Sequence, residues 1–550
     1  MSRHIRLAAV LAVCGIALVI VVLSRMVVHV STLLVPAEGG TYTEGLVGAP
    51  QWPNPVLASF NEMDQDLCRL LFRGLTRMDE SFRIVPDLAE SWEISGDATV
   101  YTFTLKDGLE WEDGAPITAD DAAYTFQLVQ SPDFPGPPYL AELWKNVTVE
   151  KVDPLRVRFT LNEPFAPFLD YTTTGLLPAH ILAGTSPVEL LAHPFNTSPI
   201  GNGPFMLQRI TVEEVALRPN PKYDGPKPYL ESLVLRFYPN IEAVFAAYRA
   251  GEVDGIRSIP LDRLEDAAAL QDLSLYSAPI AEATWLLLST QTPPLDTPEV
   301  RRALTLATDR RRLIHSALWG QAMPLYGPLL PGSWANTATE DGYDPEAARE
   351  LLAQEGWADS DNDGMLDKGG QTLSVEIAFS DLPSFARIVE EIAAQWKEIG
   401  VGVAAVPLSQ GELANAYLRP RSFQAALYRW LDITPDPDLY PFFHSTQAVD
   451  PGQNFTQFGT RDADEILEEA RLTADAIRRH ELYARLQEIL RDEAPAIFLY
   501  QPVYTMGVRE VVEGVTLAPV RTPSDRFHSI AGWYVLTQRI VASQAEAQPR

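Results

Sequence analysis

The sequence predicts an α/β protein of more than one lobe, led by an N-terminal segment directed to a membrane. Three observations carry this reading: a length of 550 residues, an alternation of strand-like and helix-like patterns, and an unbroken apolar run at residues 7–23. A single hydrophobic core stops growing at roughly 250–300 residues, so two or three domains are expected. With 46% apolar and 21% charged residues, the composition is that of a globular chain rather than a disordered one.

The N-terminus comes first. Arg3 and Arg6 precede the 17-residue apolar run, and residues 1–30 contain no acid. At about 1.5 Å per residue the run reaches ~25 Å, marginal for a bilayer core. Positive charge before the run keeps the start inside and sends the remainder outward. Three fates are open: an uncleaved anchor, a cleaved signal, or a lipoprotein through Cys14. The segment after the run offers no clean small-x-small site, and Val13 is bulky for the position before a lipidated cysteine. The anchor is the preferred reading, and all three export the chain. Residues 24–40, ending in Pro36-Ala37-Glu38-Gly39-Gly40, read as a tether.

Strand-like segments follow at residues 41–45, Val100–Leu105 and Arg156–Leu161, the last two alternating apolar with polar residues. Thr118, with Asp120 and Asp121 behind it, marks a helix start. Further on, the pattern predicts a strand at 233–238 and a helix at Ile241–Ala250 closed by Gly251. It then predicts a strand at 284–290 and one amphipathic helix at 298–319, with Pro298 near its start and Gly320 after its end. Segments 373–379, 385–399, 402–407 and 423–428 read as strand, helix, strand and strand. Residues 461–493 are mostly helical, and 496–500 return as a strand. Such a mixture argues for α/β lobes rather than a bundle or a sandwich.

Composition also excludes. The net charge is −30, so nucleic acid is repelled and is not a partner. Cys14 lies in the apolar run and Cys68 in a helical stretch, so no disulfide is expected. There is no Gly-x-Ser-x-Gly elbow, His-Glu-x-x-His, phosphate-binding Gly-x-x-x-x-Gly-Lys or Cys-x-x-Cys. A hydrolytic enzyme stays an unfavoured alternative, because triads assemble across sequence.

The block from Tyr101 to Phe126 holds Lys106-Asp107-Gly108, Asp113-Gly114, Pro116-Ile117-Thr118-Ala119 and Asp120-Asp121. It resembles the signature of the family 5 extracellular solute-binding proteins, which include oligopeptide-, dipeptide- and nickel-binding receptors of ABC importers. Gly201-Asn-Gly-Pro-Phe205, Arg218-Pro-Asn-Pro-Lys-Tyr223, Ala250-Gly-Glu-Val-Asp254, the block from Pro298 to Arg310 and Pro435-Asp-Pro-Asp438 resemble further family blocks in the same order. The resemblance implies a two-lobed periplasmic-binding-protein-like fold with an extra subdomain, joined by a hinge. Residues 1–37 would be anchor and tether, and 38–76, 196–283 and 505–540 lobe one. Residues 77–195 would be the subdomain and 284–504 lobe two. Hinge crossings would fall near 286–290 and 499–504. It further implies a monomer on the extracytoplasmic face of the cell membrane, or in the periplasm, that passes its solute to ABC permeases and their ATPases.

The site must still be argued from residues. Trp430 offers a flat apolar platform after a lobe-two strand. Peptide-binding relatives carry, three residues after this Trp, an Asp that holds the ligand's amino terminus. That spot is Ile433 here, and Asp432 comes one residue early. Gln51 and Trp52 follow the first strand, where the family lines its cleft. A peptide is the first-choice ligand, an oligosaccharide the second and a metal complex the third. No cofactor is required. A structural calcium is a separate expectation: Asp359, Asp361 and Asp363 at loop positions one, three and five, Gly364 at six and Asp367 at nine match a Ca²⁺ loop. Position twelve is Gly370 rather than the bidentate Glu. A solvated acidic hairpin is the plainer explanation of the same residues.

Overall fold

A computed structural model describes residues 10–23, 32–340 and 342–541. Residues 10–23 are helical and exposed. No helix among the described residues is long and apolar enough to cross a membrane; the start of the apolar run, residues 7–9, lies outside them. The expected tether is partly structured. Thr32–Ala37 pairs antiparallel with Leu536–Val541, so the segment leading into the body is held by the C-terminal strand.

The body is organised by one mixed 12-stranded sheet. One half contains Thr41–Val47, paired in parallel with Ser232–Tyr238, and continues through Glu214–Pro219 to Phe205–Ile210. The other half contains Ala283–Leu288, Ala425–Trp430, Ser374–Ser380 and Gly402–Leu408. The strand Ala496–Arg509 belongs to both. Its first residues pair with Ala283–Leu288 and its last with Leu273–Pro279. The chain therefore crosses between the halves at residues 280–282 and again at 501–503. The first crossing precedes the expected position near 286–290, because Ala283–Leu288 is already paired within the second half. The Gln501 amide donates to the Ile280 carbonyl at 2.9 Å and ties the two crossings together.

The period of two that marks these strands decides which core each residue enters. Leu286, Leu288, Ile497 and Leu499 face one cluster, with helix Pro383–Lys397 packed over it. Trp285, Leu287, Ala496 and Phe498 face another, closed by Arg461–Leu472 and Ala476–Glu493. Buried on both faces, Ala283–Leu288 reads as a continuous apolar run. The first half shares its core with an antiparallel four-stranded sheet in the order Ala89–Ile94, Val100–Leu105, Arg156–Leu161, Val147–Asp153. Helix Ala119–Val129 is set by a capping box in which Thr118 and Asp121 hold each other's backbone N–H groups.

The single helix expected at 298–319 is two, Pro298–Leu306 and Arg310–Leu318. Asp309 caps the second by accepting from the Arg312 N–H at 2.9 Å, and this internal start signal outweighs the continuous apolar stripe. Asp475 likewise divides 461–493.

A buried charge cluster fastens the C-terminal segment to the first half. Arg526 bonds Glu44 and Asp66, and Arg257 donates to Asp66 at 2.6 Å. The side chains of Glu44, Asp66 and Arg526 are wholly buried. Two arginines against one carboxylate hold Asp66 well below the usual carboxylate range, overcoming the burial that would raise it.

Candidate functional site: a charged cleft between the two halves

A cavity of ≈ 1070 Å³ opens between the halves, slightly above the size of about 1,000 Å³ that bounds most small-molecule pockets. Its first wall comes from helix Glu62–Leu71 and strand Thr76–Met78, contributing Arg69, Phe72, Arg73 and Arg77. The opposite wall contributes Glu282, Leu431, Asp432 and Thr434. Residues 521–531, and Asp170 with its neighbours, complete the enclosure.

Asp432 is placed by backbone geometry. The strand Ala425–Trp430 ends at the Trp430–Ala283 rung, and Asp432 then takes a left-handed conformation, φ 55°. That conformation is uncommon for residues other than glycine and best tolerated by Asp and Asn. It lets the next residue turn inward: Ile433 is buried and its N–H donates to the Ala281 carbonyl at 2.9 Å. The early carboxylate is thus delivered to the cleft while Ile433 fills the core. Asp432 pairs with the Arg521 guanidinium at 2.7 Å. Its side chain keeps 46% of its surface open to the cavity, and the burial of the remainder raises its pKa, against the pull of Arg521.

The other expected ligand contacts are set elsewhere. Trp430 packs edge-on to Trp285, with ring centroids 5.3 Å apart, and against Phe442 at 4.8 Å. It does not line the cavity. Gln51 and Trp52 do not line it either. Their N–H groups both donate to the buried Asp64 carboxylate at 2.9 Å, which fixes the proline-rich loop onto the start of its helix. Burial pushes Asp64 up, partly offset by those two donors.

The acidic loop brings Asp359, Asp361 and Asp363 oxygens within 4.8 Å of one another, all exposed. Asp367 is not part of that group. The Ser360 N–H and hydroxyl engage it at 2.9 Å and 2.7–2.8 Å, and it opens the short hairpin 367–372. Backbone donors serve the other three: Gly364 N–H reaches Asp359 at 3.1 Å and Met365 N–H reaches Asp363 at 2.8 Å.

Sequence reasoning missed Asp170 and several basic groups. Asp170 is buried at the cavity edge and accepts from the Asp436 N–H at 2.9 Å, across the two halves. Asp436 in turn bonds both terminal nitrogens of Arg479, and Arg471 grips Asp438 at 2.6 Å. Asp438 also caps its own turn through the Tyr440 N–H at 3.1 Å. Arg69, Arg77, Arg521 and His528 were missed as well. One signal could have pointed to the segment carrying His528: Thr522 and Asp525 form a capping box at the start of Pro523–Gly532.

A family model described as "Bacterial extracellular solute-binding proteins, family 5 Middle" matches residues 83–450. The chain is 28% identical over 511 residues to the dipeptide-binding protein of Escherichia coli (strain K12), covering 86% of this chain and 91% of that one. The structure of the oligopeptide-binding protein AppA from Bacillus subtilis in complex with a nonapeptide superposes with a TM-score of 0.70 at 26% identity, covering 91% and 100%. NikZ from Campylobacter jejuni in complex with Ni(L-His) superposes with a TM-score of 0.71 at 25% identity, covering 90% and 99%. The chain belongs to the bacterial extracellular solute-binding proteins of family 5.

Proposed function

We propose that this chain captures a peptide-like solute in the cleft between its halves and presents it to ABC permeases. The family is one of non-enzymatic transport components, so the solute is bound and released unchanged. The observation that carries the peptide reading is the cleft itself, where Asp432 projects from one wall and a basic surface faces it from the other. In this reading Asp432 exchanges Arg521 for the ligand's amino terminus, and main-chain pairing gives tolerance of sequence.

The division into lobes belongs to the same proposal. Lobe one comprises 38–76, 196–283 and 505–540, with 77–195 as its subdomain, and lobe two comprises 284–504. The separate cores on either side of the crossings support it, as does Gln501 at the point where closure would be absorbed. Closure follows from a higher ligand affinity of the closed form. The protein acts as a monomer, held at the outer face of the cytoplasmic membrane by the apolar run at 7–23. Asp359, Asp361 and Asp363 form a weak structural Ca²⁺ site, supported by their convergence within 4.8 Å and weakened by the diversion of Asp367 to Ser360.

Native mass spectrometry of material co-purifying with the protein tests the ligand class. Peptide masses returned intact are the expected result. Sugar or metal-complex masses without peptides overturn it, and conversion of an added peptide to products overturns the receptor role.

A further inference from the structure

Apart from the two crossings, three contacts join residues 77–195 to the second half. At the tip of the hairpin formed by Thr76–Met78 and Ile84–Pro86, the Asp79 carboxylate accepts from the Ser81 and Arg83 N–H groups at 2.8 and 3.0 Å. The turn sets Phe82 at φ 56°, a conformation that bulky residues seldom adopt. Phe82 packs on the cluster that contains Trp285 and Phe442. Next, the Ala166 N–H donates to the Arg471 carbonyl at 3.0 Å. Two rings share the Arg471 guanidinium, Phe165 at 5.7 Å and Tyr440 at 4.1 Å. The third contact is the Asp436 N–H donated to the Asp170 carboxylate at 2.9 Å.

Each side of this seam is assembled within its own half. In the second half, Arg479 holds Asp436, Arg471 holds Asp438, and the Tyr483 hydroxyl donates to the Pro437 carbonyl at 2.8 Å. In the first, Asp170 sits in the helical turn Phe168–Tyr171, where Phe168 packs on Tyr101 with ring centroids 4.6 Å apart. The seam can therefore part as a unit, leaving both surfaces folded. Parting changes one titratable group most: Asp170 is buried in the joined form.

We infer that Phe82, Ala166 and Asp170 form a clasp that fastens the subdomain to lobe two as the lobes close, and that Asp170 takes up a proton when the clasp is made. The closure is that of the function proposed above; the clasp adds where it fastens and what it titrates. Burial in the joined form pushes the Asp170 carboxyl up to about 7. The charge of Asp436 adds to the push, and the Asp436 N–H, the Thr434 hydroxyl and Arg521 oppose it. Of the neighbouring groups, Asp436 is answered by Arg479 and Asp438 by Arg471, and Tyr101 stays neutral because burial raises its hydroxyl. Once the seam parts and water enters, the Asp170 carboxyl titrates near ~3.9. Between those values the closed form holds a proton that the open form lacks, so acid favours closure. Solute affinity should fall as pH rises from about 4 to about 7 and level off above.

Calorimetry of the full-length protein with a mixed-sequence tripeptide library, at pH 6 in buffers of different ionisation enthalpy, counts the protons. Wild type should take up close to one proton more per bound peptide than Asp170→Asn. From pH 5 to pH 8 it should lose roughly 30- to 100-fold in affinity relative to that variant. Taking the difference removes the titration of Asp432 and of the peptide itself. Phe82 does not line the cavity, and Phe82→Ala should speed peptide dissociation about tenfold without altering the proton count. Thermal midpoints confirm that both variants are folded. Equal proton counts in wild type and Asp170→Asn overturn the proton uptake, and a dissociation rate unmoved in Phe82→Ala overturns the clasp. Hydrogen exchange of the ligand-free protein supplies an arm without peptide. Corrected for its intrinsic pH dependence, exchange at the Asp436 amide should be slower at pH 5.5 than at pH 8 in wild type, and equal at both in Asp170→Asn. That pattern without any tripeptide binding removes the peptide reading and leaves the clasp standing. Tripeptide binding with neither the proton difference nor the exchange difference removes the proton uptake and leaves the peptide reading.

Discussion

Asp436 and Asp438 sit two residues apart in a proline-rich loop, as Asp359, Asp361 and Asp363 do in the loop before the 367–372 hairpin, but the two sets are neutralised by different means. The first pair is mostly buried and answered by arginines from two helices: Arg479 bonds Asp436 from Ala476–Glu493, and Arg471 bonds Asp438 from Arg461–Leu472. The second set is exposed and answered by the loop's own backbone N–H groups. Local spacing is nearly the same; what differs is the long-range partner. An aspartate cluster therefore becomes a structural latch or a solvated loop according to which helix packs beside it. The latch also reaches the other half of the molecule, through the Asp436 N–H donated to Asp170.

The largest expected effect comes from breaking the latch. In Arg479→Met the buried Asp436 loses its counter-ion, and stability should fall by about 3–5 kcal/mol, read as the urea midpoint at constant slope. Arg478→Met, one residue away, removes an exposed pair with Glu469 and should cost no more than about 1 kcal/mol. Equal losses in the two variants would erase the distinction between buried and solvated acids.

Next is the pH dependence of Asp170. Burial pushes its carboxyl up to about 7, the charge of Asp436 adding to the push and the Asp436 N–H opposing it. In the unfolded chain it titrates near ~3.9. Between those values the folded form holds a proton that the unfolded form lacks, so stability falls as pH rises from about 4 to about 7 and levels off above. Asp170→Asn should flatten that fall and gain on the order of 2–4 kcal/mol at pH 8. Glu112, pushed up to about 7 by burial, leaves a similar slope in both proteins. The difference between variant and wild type is thus the quantity to measure, by urea unfolding across pH 4–8. A variant that follows the wild-type curve would contradict the assignment.

The smallest effect belongs to the exposed loop. Calcium at about ten times its dissociation constant should stabilise the wild type by about 1.4 kcal/mol, read as a rise in thermal midpoint that Asp361→Asn loses. Without calcium, Asp361→Asn should change stability by no more than about 0.5 kcal/mol. A midpoint unmoved by calcium would leave the loop as a solvated hairpin.

These contrasts also explain what the sequence made legible. Val100–Leu105, Arg156–Leu161 and Ile241–Ala250 were readable residue for residue, because period-two burial, an Asn240 cap and the left-handed Gly251 are local signals. The break at Ala307-Thr308-Asp309 was obscured by a continuing apolar stripe. Among candidate site residues, Asp432 reaches the cleft through a left-handed turn that no periodicity announces. Trp430, Gln51 and Trp52 lie in the expected segments, but their orientation depends on Trp285, Phe442 and Asp64, which come from elsewhere in the chain or from the following helix. Arg69 and His528 meet only because residues 523–532 fold back on the helix at 62–71.

The central claim is that the cleft holds a peptide by its charged amino terminus at Asp432. Calorimetric titration with a mixed-sequence tripeptide library, and with the same library N-acetylated, tests it most directly. Binding that weakens by about a hundredfold on acetylation, with the same loss in Asp432→Asn, is the expected result. Equal affinity for both libraries, or no binding of either, would contradict it.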